Sequence, residues 1–371
     1  MAKLGKKILV VLALVILCLG MLPAHRVGRD QTKAVDMQVF VKKLMKKKHI
    51  AGSIAVVHNG TVQVVSYGRA KKGLKNGAKN VVYPVASLQK QVTAAMVMQL
   101  MAEKQGSSKF FSQDTKISRW YPGLRGASKI TVGNLLTHTS GLQIPEIEVD
   151  RGVTYSEAGA VNWCVNRLNQ ARQDAVGTYH YSDVNYILLA GIIRKVTGKS
   201  YAANFKKRIV NRLGLRHTFL IGKVSAKYQV AASYDYQNGK NYQNRRYLSK
   251  TRLSQLIGAA QLITTPSDYY EFESALGTGQ LLAPSTYRLM THLKSKKTRY
   301  CSGFYIKKGG KVKLAYGAFG GAHYAGYYQL TSDNQNGIVM MINQRSCGED
   351  KLKGIGYQIL QKLELNTFSQ T

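Results

Sequence analysis

The sequence predicts an α+β fold: one antiparallel sheet built from both ends of the chain and flanked by terminal helices, plus a mostly helical lobe. Three observations carry this. Near the start, SIAVVHNGTVQVVSYG has two alternating, β-branched runs meeting at Asn59-Gly60, the strongest short hairpin signal. Near the end, alternation returns in YCSGFYIKKGGKVKLAYGAF with its Lys-Gly-Gly turn, then in HYAGYYQLTSD and NGIVMMINQ. Between them, residues from about 107 to 250 read as helices and long loops with little strand pattern. A pocket between sheet and lobe is the expected place for a site.

Along the chain, MAKLGKK is basic and the apolar run ILVVLALVILCLGMLPA extends from Ile8 to Ala24. Positive residues ahead of such a run predict a cytoplasmic N-terminus and export of the rest. Its length is at the short limit for a membrane span and long for a signal-peptide core. Leu22 is large where a cleavage site prefers a small residue, which favours a retained anchor over a cleaved signal. Residues 1–24 are therefore an anchor or signal segment, 25–35 (HRVGRDQTKAV) a polar linker, and 36–371 one domain. MQVFVKKLMKKK opens that domain as a helix. A Gly/Lys/Asn loop after the hairpin leads into VASLQKQVTAAMVMQL, an apolar helix headed by Ser87. IGAAQLITTPSDYYEFESAL begins with a turn at which Ser267 or Asp268 is placed to cap a helix. DKLKGIGYQILQKLEL closes the chain as an amphipathic helix.

Charge narrows the partners. The 371 residues carry 54 Lys and Arg against 18 Asp and Glu, a net of +36. A field of this size concentrates polyanions around the protein. Export turns that preference away from nucleic acid and toward anionic lipid or phosphate polymers of the cell envelope. Beyond Cys18 the cysteines are Cys164, Cys301 and Cys347, an odd set without the close spacing of a disulfide framework or a metal site. Cys301 and Cys347 both border late strands and form a candidate pair. The eight histidines are scattered, and His-Glu-x-x-His, Gly-x-Ser-x-Gly, phosphate-loop and dinucleotide motifs are absent. No metal or cofactor is expected.

What remains is Ser87 with Lys90, the only Ser-x-x-Lys pair in the chain. A serine hydroxyl attacks only when a neighbour takes its proton. At a helix start Ser87 gains a field that favours developing negative charge, and Lys90, one turn on, lies on the same face and points back. For Lys90 to accept the proton, burial or nearby positive charge must lower its pKa. The competing reading is an N-cap serine beside a solvated lysine.

The blocks SIAVVHNGTVQVVSYGRA, VASLQKQVTAAMVMQLMAEK, ITVGNLLTHTSGL, YHYSDVNYILLAGIIRKVTGKS and GAAQLITTPSDYYEF follow one another in the order of a known family. They resemble the serine β-lactamase and penicillin-binding-protein group, in the class-C-like branch that includes esterases and D-alanyl-D-alanine peptidases. The resemblance implies that Ser87 is the nucleophile, Lys90 its partner and Tyr181 the general base and acid that relays the proton to the leaving group. Asp183 stands where the family usually has asparagine. A carboxylate there is expected to raise the Lys90 pKa, move the base role toward Tyr181 and remove a substrate-holding amide, for which Asn185 is the candidate substitute. The family's third element, Lys-Thr-Gly or His-x-Gly, aligns through Gly326-Tyr327 with Gly320-Gly321-Ala322, so its cation is missing. His323 lies beside it, and the backbone N–H near Ala322 is placed to complete an oxyanion hole with that of Ser87. His138, inside LLTHTSGL, is expected to tie a loop.

The function implied is an extracytoplasmic serine hydrolase working through an acyl-enzyme. The missing cation disfavours substrates ending in a free carboxylate. The charge and the anchor favour removal of D-alanyl esters from teichoic or lipoteichoic acid. A D-alanyl-D-alanine carboxypeptidase acting on peptidoglycan peptides is the alternative. A non-catalytic envelope sensor, whose binding would survive Ser87→Ala, is a second. The expected partners are the anionic envelope polymer or peptide, and the membrane through the N-terminal segment.

Overall fold

A computed structural model describes residues 24–293, 298–346 and 349–363. The apolar run before Ala24 and Cys347 lie outside the described residues, and with them the expected anchor and the Cys301–Cys347 pair. Among the described residues no helix is long and apolar enough to cross a membrane.

The chain divides into two compact units, 1–43 and 44–371. The first is described only through helix α1 (Ala24–Lys47), which takes in residues 25–35. The expected linker is therefore helical: it has one glycine and no proline to break a turn.

In the second unit, β1 (Ala51–His58) and β2 (Thr61–Tyr67) form the expected hairpin, with His58 opposite Thr61. Asn59 and Gly60 have φ of 49° and 74°, the left-handed pair that lets a two-residue turn follow the strand twist. A small hairpin, β3 (Arg69–Lys71) and β4 (Leu74–Lys75), leads to β5 (Val81–Pro84), which feeds helix α2 (Gln89–Glu103). The helical lobe follows with α3 (Val132–Leu136), α4 (Glu157–Gln170), α5 (Asp183–Thr197), α6 (Tyr201–Phe205) and α7 (Asn211–Leu213).

Strands then return earlier than the sequence pattern suggested. β6 (Phe219–Leu220), β7 (Gln229–Val230), β8 (Ser233–Gln237) and β9 (Lys240–Arg246) all lie inside the stretch expected to be helical. The signal was present: Asn238-Gly239, at φ of 52° and 74°, turns β8 into β9 just as Asn59-Gly60 turns β1 into β2. Its flanks are polar, so they lack the apolar alternation that marks a half-buried strand. Next come α8 (Lys250–Ser254), β10 (Leu262–Thr264) and α9 (Pro266–Gly277). The cap of α9 is Thr265, whose Oγ1 accepts from Asp268 N at 3.3 Å, with Pro266 at the first helical position; Ser267 and Asp268 lie inside the helix. Helix α10 (Pro284–His292) precedes β11 (Tyr300–Cys301), β12 (Phe304–Lys307), β13 (Val312–Ala318), β14 (Ala325–Thr331), β15 (Gly337–Arg345) and α11 (Glu349–Lys362).

The main sheet runs β11-β12-β13-β14-β15-β1-β2, so its centre joins the last strand to the first, with Ile54 opposite Met340. β8 adds to the end of β15 in parallel, and β9 pairs with β8. β15 is buried at every position but the last, as expected where both faces of a sheet are covered. β5 and β10 belong instead to a four-stranded sheet, β6-β10-β5-β7. Helix α2 is buried from Gln89 through Met101, so it runs through the interior and presents no solvent face until its last residues.

Candidate active site

Ser87 sits where β5 hands over to α2. Val85 enters a single 3-10 turn, Ala86–Leu88, and Ala86 takes φ of +48°, a left-handed conformation that costs an L-residue about 1 kcal/mol. No side chain caps this turn or α2. Ser87 therefore does not act as an N-cap. Its Oγ instead accepts a hydrogen bond from Lys90 Nζ at 2.8 Å.

Lys90 is fully buried, and its three ammonium protons have three acceptors. These are Ser87 Oγ, Asp183 Oδ1 at 2.6 Å and, more weakly, Ala259 O at 3.4 Å. Burial pulls the ammonium's pKa down, but the Asp183 carboxylate and then the Tyr181 hydroxyl outweigh it and hold Lys90 above the ordinary lysine value. A positive charge in this pocket is thus matched by the one carboxylate that departs from the family pattern.

Tyr181 stands just ahead of α5. The residue is 39% exposed, and Lys90 Nζ lies 4.9 Å from the centroid of its ring. Burial of its hydroxyl raises the phenol's pKa, with Lys90 offsetting part of the rise. The Tyr181 ring lies 4.3 Å from the His138 ring, centroid to centroid, and 5.9 Å from that of Tyr300. His138 has a left-handed φ of 55°, and its Nδ1 accepts from Ser182 N at 3.3 Å and from Asn185 Nδ2 at 2.9 Å. Burial, and after it the charge on Lys90, keep its imidazole neutral, well below the usual histidine range. The loop tie expected of His138 is therefore a specific one: it holds the residues on either side of Tyr181 and backs its ring.

Asn185 does not replace the missing amide. It is fully buried, donates to His138 and Ser182 O, and accepts from Ser140 Oγ at 2.6 Å, all within the packing of the helical lobe.

The third element falls elsewhere than the alignment placed it. Gly320, Gly321 and Ala322 lie in the connection between β13 and β14, not on the strand beside Ser87. The residue facing Ser87 is Gly317, opposite Gly326 across the hairpin. A Cβ on Gly317 would stand 2.7 Å from Ser87 N and 2.6 Å from Val85 O. Sequence reasoning missed it because the match was carried back from Gly326 without allowing for the loop from Phe319 to Tyr324. Only a glycine lets β13 approach the Ser87 amide this closely. Gly317→Ala is accordingly expected to push β13 off the Ser87 turn and lower kcat by about 10²-fold, with a small change in Tm; steady-state kinetics and a thermal melt check this.

His323 does not face Ser87 either. Its backbone N donates to Ser233 Oγ at 2.7 Å and its imidazole pairs with the Asp235 carboxylate. The one cation on β13, Lys313, is buried and bound to Glu273 at 2.6 Å. The strand beside Ser87 thus offers backbone and no free charge. No group of residues suited to hold a metal ion occurs among the described residues.

These residues place a serine hydroxyl against a buried ammonium, a phenol ring beside that ammonium and a close backbone wall. Comparison with known proteins agrees. The Beta-lactamase family model matches residues 37–360. A teichoic acid D-alanine hydrolase of Staphylococcus aureus is 26% identical over 330 residues, covering 87% of this chain and 77% of that protein. The putative penicillin-binding protein PbpX of Bacillus subtilis is 29% identical over 286 residues, covering 76% of this chain and 68% of its own. The crystal structure of FmtA from Staphylococcus aureus superposes with a TM-score of 0.71 at 26% identity, covering 87% of this chain and 88% of that one. A match running from α1 to α11 and taking in Ser87, Lys90 and Tyr181 leaves one assignment: the chain belongs to the beta-lactamase family.

Proposed function

We propose that the protein is a serine esterase of the cell envelope that removes D-alanyl esters from teichoic acid through an acyl-enzyme on Ser87. The observation that carries this is the pocket's charge: Lys90 is neutralised by Asp183, and the neighbouring strand keeps no free cation. An ester-linked D-alanine has no free carboxylate to be held there. The name of the staphylococcal relative and the +36 charge support the same substrate.

The chemistry follows from the protonation states. With Lys90 held as ammonium, the Ser87 proton needs another acceptor. Tyr181 Oη takes it while passing its own proton to the departing ester oxygen, as the Ser87 Oγ–carbonyl bond forms and the carbon–oxygen ester bond breaks. Lys90 stays charged throughout and steadies the negative charge that builds on Oγ and Oη. The Ser87 amide, pressed against β13, is placed to bind the developing oxyanion. Water then repeats the relay in reverse, releasing D-alanine and free Ser87.

The test is D-alanine release by the chain and by Ser87→Ala, from D-alanylated lipoteichoic acid and from a peptide ending in D-Ala-D-Ala. Release from the polymer alone, lost in the variant by at least about 10³-fold, supports the esterase. Release from the peptide would assign a carboxypeptidase instead. Binding of polymer without release from either would return the sensor.

A further inference from the structure

The wall beside Ser87 ends in a loop whose carbonyls are held by two arginines. Arg252 Nη1 donates to Gly320 O at 2.6 Å, and Arg246 Nη1 to Gly321 O at 2.9 Å. This loop leaves β13 just after Gly317, which touches the Ser87 turn. Arg252 sits on α8, upstream of the segment whose Ala259 O meets Lys90. Its Nη2 also reaches Glu148 at 2.5 Å, so it bridges β13's loop to the helical lobe.

The two arginines differ in what is left over. Arg252 is matched by Glu148, and of the other nearby acids Asp150 is engaged by Thr251 and Asp235 by His323. Arg246 is exposed and has no carboxylate partner among the described residues; Arg245 and Lys250 are exposed too. Arg245 lies over the ring of Tyr247, itself exposed, at 5.4 Å. The run NRRYLSKTR, 244–252, thus carries four cations and no acid. A guanidinium anchored by one Nη keeps its remaining N–H groups in a fixed plane, the geometry that suits a phosphate.

We infer that Arg245 and Arg246, with Lys250 beside them, form a phosphate-binding rim that holds the polyanionic chain of the substrate while its ester lies at Ser87. The inference rests on the esterase reading for its substrate, and it separates two tasks. Arg252 and one Nη of Arg246 fix the loop, while Arg245 and the remaining N–H groups of Arg246 capture the polymer. Neutral small esters, having no phosphate, gain nothing from the rim.

The experiment uses the full chain, Arg245→Glu/Arg246→Glu, and Lys206→Glu/Lys207→Glu. The last makes the same charge change on exposed residues next to Arg208, which pairs with Glu103 at the far end of α2. That is about 20 Å from Ser87 by helix rise. Binding of labelled poly(glycerol phosphate) lacking D-alanine is measured across a salt series, with a thermal melt for each variant. The rim reversal is expected to weaken binding about tenfold or more and flatten its salt dependence, with the control close to wild type. Equal losses in both variants, or none in either, would overturn the rim and leave the charge acting only as a whole. In parallel, kcat/KM on D-alanylated polymer should fall about tenfold further than kcat/KM on a small phosphate-free D-alanyl ester. If wild type hydrolyses neither ester, the esterase reading fails and the binding series still decides the rim.

Discussion

Replacing Lys90 with methionine is expected to lower kcat/KM on the order of 10³-fold or more, and to cost about 3–5 kcal/mol of stability. The catalytic loss follows from removing the cation that bonds Ser87 Oγ and lies 4.9 Å from the centroid of the Tyr181 ring. The stability loss has a separate origin. Asp183 is only 7% exposed and its Oδ1 faces Lys90 Nζ at 2.6 Å, so truncating the lysine strands a carboxylate in a dry pocket. Lys90→Met/Asp183→Asn should regain most of that stability, since a buried pair removed together leaves no uncompensated charge. It should regain none of the activity. Chemical denaturation of the two variants and of Asp183→Asn completes the cycle. Equal stability of Lys90→Met and wild type would mean that the pair is better solvated than its burial indicates.

Asp183→Asn is expected to change the shape of the pH profile as well as its height. In the wild type, burial lowers the Lys90 pKa and Asp183 raises it further than burial lowers it. Without the carboxylate, burial prevails and the folded-state pKa drops below the unfolded lysine value. The wild type should show kcat/KM flat between about pH 6 and 9, because neither Lys90 nor Tyr181 loses its proton there. The variant should acquire an acid limb, its activity rising with pH as Lys90 becomes a neutral amine able to take the Ser87 proton.

Stability must move with the same proton. In the variant the unfolded lysine binds protons more tightly than the folded one, so the Tm deficit should shrink as pH rises toward the unfolded lysine pKa. In the wild type the sign is opposite. The stabilisation from Lys90 is complete below the unfolded pKa and is lost only as pH climbs through the raised folded value. A Tm deficit independent of pH, together with a flat activity profile, would show that Lys90 stays charged without Asp183 and would refute this account of the pocket.

Much of the site was readable because its parts are local. Ser87 and Lys90 lie one helical turn apart, and Tyr181 is four residues ahead of Asn185 in a block that folds as one helix start. The Asn-Gly hairpin at Asn59-Gly60 is equally legible, whereas the polar flanks of Asn238-Gly239 carry no apolar alternation to mark the strands beside it. What escaped depends on register between distant segments. Gly317 faces Ser87 only because β13 pairs with β14 through Gly317 and Gly326, with the intervening residues looped out. Counting along the sequence from Gly326 without that loop led to Gly321 and Ala322 instead. His323 and Asn185, both near the motif in sequence, were drawn away by Asp235 and by His138 and Ser140.

The family, the antiparallel sheet joining both chain ends, the Ser87, Lys90 and Tyr181 set and the carboxylate that departs from the pattern could all be read from the chain alone. These depend on residue types at short, periodic spacings, which survive any change in how the segments are finally packed. Packing alone shows that Lys90 is a buried ammonium, that β13 presents a glycine and no cation to Ser87, and that Arg246 ties the loop after β13. A lysine's protonation is a balance between lost solvation and one carboxylate from another helix, and no spacing along the chain records how far apart those two groups come to rest.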